Sequence, residues 1–361
     1  MNEIKINSHT GPYSILIEND ALNYSGELIG KRFNKCKVCI ISDDIVSKIY
    51  LEIVKDSLQL KDFQVFDFII KSGESSKSLP TAYNLYDFLS KNFFTRSDLV
   101  IALGGGVVGD VAGFVAATYL RGIKYVNIPT TLLAQIDSSV GGKTGVNLPA
   151  GKNMVGSIYP ASLVIVDPKV LKTLTKRDWA CGISEAIKYA MIKDKFLFDK
   201  IKNENIEEFL SNLICRCIEI KKCIVEEDEF DNKDRMLLNF GHTLGHAIEK
   251  LGNYEKFSHG QAVSLGMKMI TQACVENNIA DEKVLEDLVC TLKKFELPTS
   301  CDFSKKEIAV SALNDKKIVD GKIIVALVDD IGSGFMYKFS KEHFLKFILG
   351  EEKYVYSNNN T

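Results

Sequence analysis

The sequence predicts an α/β domain on a parallel sheet, followed by a mostly helical domain. Three observations carry this. In the first half, short β-branched runs alternate with amphipathic stretches. Those runs are rich in Val, Ile and Phe and largely continuous rather than alternating, the mark of strands covered on both faces. After about Asp178 the strand signal fades and helical periodicity takes over. The domains read as 1–177 and 178–361, and 361 residues suit two domains at roughly 150 residues each.

The elements come in order along the chain. Residues 1–6 are polar with no apolar core, so no signal peptide is expected. Strands are predicted over 38–42, 65–70, 99–103, 125–128 and 163–166, and helices over 45–58 and 79–91. Cys36 and Cys39 form a lone C-x-x-C at the start of the first strand and read as small buried hydrophobes. The longest apolar window, 99–120, contains Asp110 and five glycines. A membrane helix of about 20 residues rarely has that composition, so the window reads as strand, loop and helix. Residues 137–153 are dense in glycine and polar side chains and read as a long functional loop.

The second half predicts helices over 182–192, 206–226, 236–250, 260–277 and 281–295. Leu297-Pro298 marks a break, and 322–328 reads as a late strand or hairpin before Ile331-Gly332-Ser333-Gly334. The tail 354–361 is polar and expected to fray. Hydrophobic residues make up 46% and charged residues 25%, an ordinary globular mixture. Lys and Arg number 45 against 47 Asp and Glu, so overall charge draws the chain to neither nucleic acid nor an anionic membrane. Nine scattered cysteines, an odd number, fit free thiols in a reducing cytoplasm.

Four clusters carry chemistry, and the expected place for an active site is the cleft between the domains. Strand 99–103 runs into Gly104-Gly105-Gly106 and a helix start. There glycines allow close backbone approach and free N–H groups favour a phosphate, with a tight structural turn as the alternative. Gly73-Glu74-Ser75-Ser76-Lys77 follows an earlier strand and offers a carboxylate and an ammonium, or merely a solvated turn. In the polar stretch, Lys143 and Lys152 suit phosphate as point charges, and Asp137 can orient a hydroxyl. Three of the five histidines, His242, His246 and His259, fall within 18 residues. By spacing, His242 and His246 share a helix face, and with His259 they make a metal or acid–base site. Spacing does not say which three groups would bind a metal. Glu185 and Lys188 lie three apart among apolar neighbours, which points to a buried helix whose charges need partners rather than a solvated ion pair.

Together these segments resemble the 3-dehydroquinate synthase family of the shikimate pathway. The residues that carry the resemblance include Gly104–Asp110, Ala117-Thr-Tyr-Leu-Arg121-Gly122, the long run from Pro129 to Lys143, Gly151-Lys152-Asn153, Glu185-Ala-Ile-Lys188-Tyr189, Leu238-Asn239-Phe240-Gly241-His242, Gly245-His246-Ala-Ile-Glu249, His259-Gly260-Gln261-Ala262-Val263 and Asp315-Lys316-Lys317. They extend from about Ser42 to Gly332, in the family's order. Departures are Lys233-Asp234 before Arg235 where Gly-Leu is usual, Ala190 for glycine and Gln261 for glutamate.

The resemblance implies a Rossmann-like NAD-binding domain, then a helical metal- and substrate-binding domain, on the fold of iron-dependent alcohol and glycerol dehydrogenases. It implies NAD, a divalent metal (zinc or cobalt) and a homodimer acting in the cytoplasm. Glu185, His242 and His259 match the metal ligands, which displaces His246 from the spacing-based set and gives it a proton-handling role. Asp137, Lys143 and Lys188 match further catalytic positions. Asn153, Lys221, Arg235, Asn239 and either Lys316 or Lys317 match substrate contacts, and Arg121 matches an arginine that reaches the partner's site. Glu74, Lys77, Gly105, Gly106, Val107, Asp110, Thr130, Thr131, Lys143, Lys152 and Thr173 match NAD-side positions.

The implied reaction takes 3-deoxy-D-arabino-heptulosonate 7-phosphate to 3-dehydroquinate and phosphate. It proceeds through transient oxidation by NAD, phosphate elimination, re-reduction and an intramolecular aldol closure. The alternatives are a sister sugar-phosphate cyclase, a metal- and NAD-dependent polyol dehydrogenase, and a silent binding protein. A polyol would leave Lys143, Lys152, Lys188, Lys221 and Arg235 without an anion, and an intact Glu185/His242/His259 set argues against silence.

Overall fold

A computed structural model describes residues 1–230, 234–313, 318–319 and 322–351. Two units result: 1–175 with 221–226, and 176–220 with the residues from 227 onward.

The first unit is built on a seven-stranded sheet in the order β1 (Asn2–Ile6), β2 (Tyr13–Ile17), β9 (Leu163–Val166), β6 (Lys124–Pro129), β5 (Leu99–Gly104), β3 (Lys37–Asp43), β4 (Gln64–Ile70). β1 and β2 are antiparallel, and every other pairing is parallel. The five strands expected from continuous apolar runs are all present. Leu99, Val100, Ile101, Ala102 and Leu103 of β5 are at most 1% exposed, which is why that run carries no alternation. The sheet is flanked by α1 (Ser25–Gly30), α2 (Glu52–Gln59), α3 (Leu79–Lys91) and α4 (Gly106–Thr118). α3 starts where its sequence says it should: Ser78 Oγ accepts from Thr81 N, and Pro80 sits in the first turn, where its missing N–H costs nothing. The expected helix 45–58 forms as a wider helical turn, Ser47–Leu51, running into α2.

Three differences from expectation have physical reasons. β1 and β2 were not anticipated. β1 is an edge strand with Asn2, Glu3 and Lys5 exposed, so its apolar signal is thin. The polar stretch expected as a loop is instead an antiparallel hairpin, β7 (Lys143–Leu148) and β8 (Gly151–Ile158). Its ladder needs only backbone groups, and β8 is mostly exposed, so no apolar pattern announces it. The apolar window 99–120 divides into β5, the glycine turn and α4, as predicted. Among the described residues no helix is long and apolar enough to cross a membrane.

The second unit contains α5 (Lys176–Lys193), α6 (Lys195–Asn203), most of α7 (Ile206–Glu227), α8 (His242–Leu251), α9 (His259–Glu276), α10 (Glu282–Lys294), α11 (Lys305–Leu313) and α12 (Lys341–Leu349). A three-stranded antiparallel sheet joins β10 (Ile318–Val319), β11 (Lys322–Asp330) and β12 (Ser333–Ser340). The late strand is thus a hairpin, turning at Gly332. The predicted helix 236–250 splits into a tight turn, Asp234–Asn239, and α8, because Gly241 between them adopts φ +76°. α9 runs through the core with Ala262, Val263, Leu265, Met267 and Ile270 buried, and it packs on α5, α8 and α10. The tail 354–361, Lys233, Lys316 and Lys317 lie outside the described residues. All nine cysteines are free; burial pushes the Cys36 thiol up to about 11, which suits a packing role for the C-x-x-C.

Candidate active site

In the first unit, the glycine turn lies at the carboxyl end of β5, where the strand order reverses between β3 and β5, the usual ligand crevice of such sheets. α4 begins at Gly106, and its cap residue Gly105 supplies no side-chain hydrogen bond, so the first-turn N–H groups point outward unclaimed by a cap. A Cβ on Gly105 would come within 3.1 Å of Thr131 Cγ2, and one on Gly106 within 3.2 Å of Ser138 Oγ. Glycine keeps that cradle open. Beside it, Thr130 Oγ1 is buried without a hydrogen-bond partner. An open helix N-terminus, a glycine floor and an orphan hydroxyl fit the pyrophosphate of a dinucleotide.

Charged groups surround the turn. Lys77, 6% exposed, makes a short ion pair with Asp110 of α4. Burial pushes the Asp110 carboxyl up, and the Lys77 ammonium opposes the shift. Lys221, on the last turns of α7, donates to the Asp137 carbonyl at 2.6 Å and to Asp137 Oδ1 at 2.8 Å. Asp137 itself lies in a wide helical turn, Ala134–Ser138, of a kind common at functional sites. Thr131 Oγ1 caps that turn by accepting from Ala134 N. Val107 follows in the first turn of α4, and Thr173 shares a hydrogen bond with Tyr50 after β9. Lys143, Lys152 and Asn153 are exposed on the hairpin, and Arg121 is exposed in a left-handed turn with φ +64°.

Sequence reasoning missed Asn147. The β7–β8 register shifts between Val146 and Leu148, so Asn147 sits at a bulge that re-aims it. Its Nδ2 donates to Glu74 Oε1 at 2.7 Å, its Oδ1 accepts from Asn153 N at 2.8 Å, and its backbone N donates to Lys77 O at 2.8 Å. One asparagine thus joins the Glu74–Lys77 loop to Asn153. No short-range sequence signal marks it.

In the second unit, three helices converge. α5 carries Glu185 and Lys188, α8 carries His242 and His246, and α9 begins with His259. α8 and α9 approach backbone to backbone, since a Cβ on Gly266 would lie 1.9 Å from the Gly241 carbonyl. Glu185 and Lys188 are 1% and 2% exposed and pair at 2.5 Å, so the solvated reading of that pair is wrong. His242 Nε2 lies 3.3 Å and His259 Nε2 3.5 Å from Glu185 Oε1. Both Glu185 oxygens are buried without a well-formed hydrogen bond. Burial works against its charge, but Lys188 and His242 outweigh it and hold the carboxyl well below its usual range. Burial lowers His242. His259 is also opposed by burial, but its contacts to Glu185 and Glu249 push it up to about 10.

One ligand atom from each of Glu185, His242 and His259 falls within 4.8 Å of the others, and the same holds for His246, Glu249 and His259. A buried anionic carboxylate whose Oε1 faces two imidazole nitrogens fits a divalent cation of zinc type. The spacing-based set of His242, His246 and His259 does form one cluster, with ring centroids 5.2–6.1 Å apart. The carboxylate at its centre comes from α5, which spacing cannot reveal. Asn239 ends the tight turn that precedes α8, and Arg235, 2% exposed, is tied to Asp228 and to the Glu229 carbonyl.

The chain matches two family models, 3-dehydroquinate synthase N-terminal over residues 67–181 and 3-dehydroquinate synthase C-terminal over residues 182–318. A 3-dehydroquinate synthase of Streptococcus gordonii is 42% identical over 352 residues, covering 96% of this chain and 99% of that one. Among solved structures, a 2-deoxy-scyllo-inosose synthase complexed with carbaglucose-6-phosphate, NAD+ and Co2+ superposes with TM-score 0.84 at 25% identity, covering 96% of this chain and 99% of that one. An iron-containing alcohol dehydrogenase shares the fold, with TM-score 0.64 at 15% identity, over 94% of this chain and 98% of that one.

Proposed function

We propose, from the premise that the chain belongs to the 3-dehydroquinate synthase family, that it converts 3-deoxy-D-arabino-heptulosonate 7-phosphate into 3-dehydroquinate and phosphate. The observation that carries this is the 42% identity over 96% of the chain, beside family-model matches over residues 67–181 and 182–318 that take in the glycine cradle and the Glu185/His242/His259 cluster. Phosphate leaves by elimination, which breaks the carbon–oxygen bond of the ester with no net redox change, so the activity is that of a carbon–oxygen lyase.

Glu185, His242 and His259 would hold a divalent metal, and Gly105, Gly106, Val107 and the Thr130–Thr131 pair would hold NAD, with Glu74, Lys77, Asp110, Lys152 and Thr173 as its further contacts. When bound, the metal supplies Lewis-acid acidification of a hydroxyl and NAD a hydride acceptor restored within each turnover. The protein supplies the rest. Lys188 keeps Glu185 anionic, so the carboxylate is ready to act as a ligand. Lys143, Lys221, Arg235 and a lysine at 316 or 317 hold the phosphate and carboxylate through charge-assisted hydrogen bonds, while Asn153 and Asn239 orient hydroxyls. Binding energy at those ends is available for orientation at the reacting carbon. Lys221 is already fixed on Asp137, so little side-chain entropy is lost when substrate meets it. His246 is the proton carrier. We further propose a homodimer in which Arg121 serves the partner's site. We place the reaction in the cytoplasm, a reading supported by nine free thiols.

The test is to supply the heptulosonate phosphate with catalytic NAD and Co2+ or Zn2+. Phosphate should appear in many-fold excess over NAD with no accumulation of NADH. Absence of phosphate release would sink the proposal. Turnover of glucose 6-phosphate instead would point to a sister cyclase, a reading that the carbaglucose-6-phosphate complex keeps in view.

A further inference from the structure

The two nitrogens of His259 face two different carboxylates. Nε2 lies 3.5 Å from Glu185 Oε1, and Nδ1 lies 3.5 Å from Glu249 Oε2. His242 is arranged in parallel: its Nε2 faces Glu185 at 3.3 Å, and its Nδ1 lies 3.1 Å from the Phe240 carbonyl. Each of these two histidines thus has an oxygen acceptor behind it and an Nε2 directed at Glu185. An imidazole that ligates a metal is neutral and carries a single N–H. An acceptor at Nδ1 draws that proton to Nδ1 and leaves the Nε2 lone pair free.

The two acceptors are not equivalent. The Phe240 carbonyl is fixed by the backbone at the turn before α8. Glu249 is a side chain, 6% exposed, three residues beyond His246 on α8. His259 is the first residue of α9, where no preceding helical turn restrains its ring.

We infer that Glu249 is the positioning residue of the metal cluster, accepting the His259 Nδ1–H so that Nε2 is presented beside Glu185 and His242. The inference rests on the proposed metal-holding role of Glu185, His242 and His259, and it concerns a residue to which that role gives no part. His246, Glu249 and His259 also lie within 4.8 Å of one another, so the competing arrangement is a metal held by those three. Metallation through Nδ1 would then replace the hydrogen bond.

The experiment is a Co2+ titration of the metal-free full chain against a chromophoric chelator, with the visible Co2+ spectrum recorded at each point. Glu249→Ala should weaken Co2+ affinity about 10- to 100-fold, the usual effect of losing an outer partner of a ligating histidine. Glu249→Gln keeps an oxygen acceptor and should recover part of that loss, and it guards against an Ala variant that folds poorly. His246→Ala should bind Co2+ with wild-type affinity and spectrum. The inference is overturned if both Glu249 variants keep wild-type affinity and spectrum. It is also overturned if His246→Ala loses as much affinity as Glu249→Ala, because the metal then sits on His246, Glu249 and His259. A wild-type protein that takes up no Co2+ overturns the metal reading itself, and that result is distinct from either.

Discussion

At the scale of single residues, the second unit separates two histidines one helical turn apart by the groups around them. His242 faces Glu185 with its Nδ1 tied to Phe240, whereas His246 groups with Glu249 and His259. His242→Ala should therefore abolish metal uptake, and elemental analysis of the purified variant checks it. His246→Ala should retain the metal and lose turnover by about 100-fold or more, the usual contribution of a general acid–base. Phosphate release under saturating substrate is the measurement. A further residue-scale prediction concerns Asp287. Burial works against its charge, but hydrogen bonds from Lys202 at 2.7 Å and Lys283 at 2.8 Å outweigh it and lower its carboxyl below the ordinary value. A lowered carboxyl stabilises the fold above its ordinary pKa of about 4, and that stability is lost as pH falls through the depressed value. Asp287→Asn should cost about 0.5–1 kcal/mol at pH 7 and progressively less below pH 4, as read by urea unfolding at several pH values.

At the scale of elements, close backbone approach does much of the positioning. α8 meets α9 where Gly266 lies under the Gly241 carbonyl, and α9 meets α5 where a Cβ on Gly260 would lie 2.4 Å from Cys181 Cα. Gly266→Ala should destabilise the protein by about 1–3 kcal/mol through overpacking. It should also weaken metal binding, because His242 moves with α8; denaturant unfolding and a metal titration read the two effects. Elements whose cause is local were legible in the sequence. α3 spans the predicted 79–91 because Ser78, Pro80 and an amphipathic repeat lie within that segment. β5 was legible because burial on both faces makes every position apolar. β7 and β8 were not, because a hairpin held by backbone hydrogen bonds, with one strand largely exposed, leaves no periodic trace. The same holds for the Asn147 bulge, where a side chain is redirected by a register shift.

At the scale of the whole molecule, the proposal that Arg121 of the partner subunit completes each site has a sharp consequence. Arg121→Ala and His246→Ala should each be inactive alone. Mixed and allowed to exchange subunits, half the dimers would be hybrids with one intact site of two, restoring about a quarter of wild-type activity. No recovery after confirmed exchange would place Arg121 in its own subunit's site. By itself the sequence determined the five parallel strands of the sheet domain and the helices between them, the helical character of the second half, and the residue types of the cluster. These depend on patterning within a few turns of chain and on motifs read in order. Only the tertiary structure decided that Glu185 of α5 stands between His242 and His259, which nitrogen of each imidazole faces it, and that Glu249 stands behind His259. Those facts depend on how three helices pack and on which rotamer each side chain takes, and neither leaves a mark on local spacing.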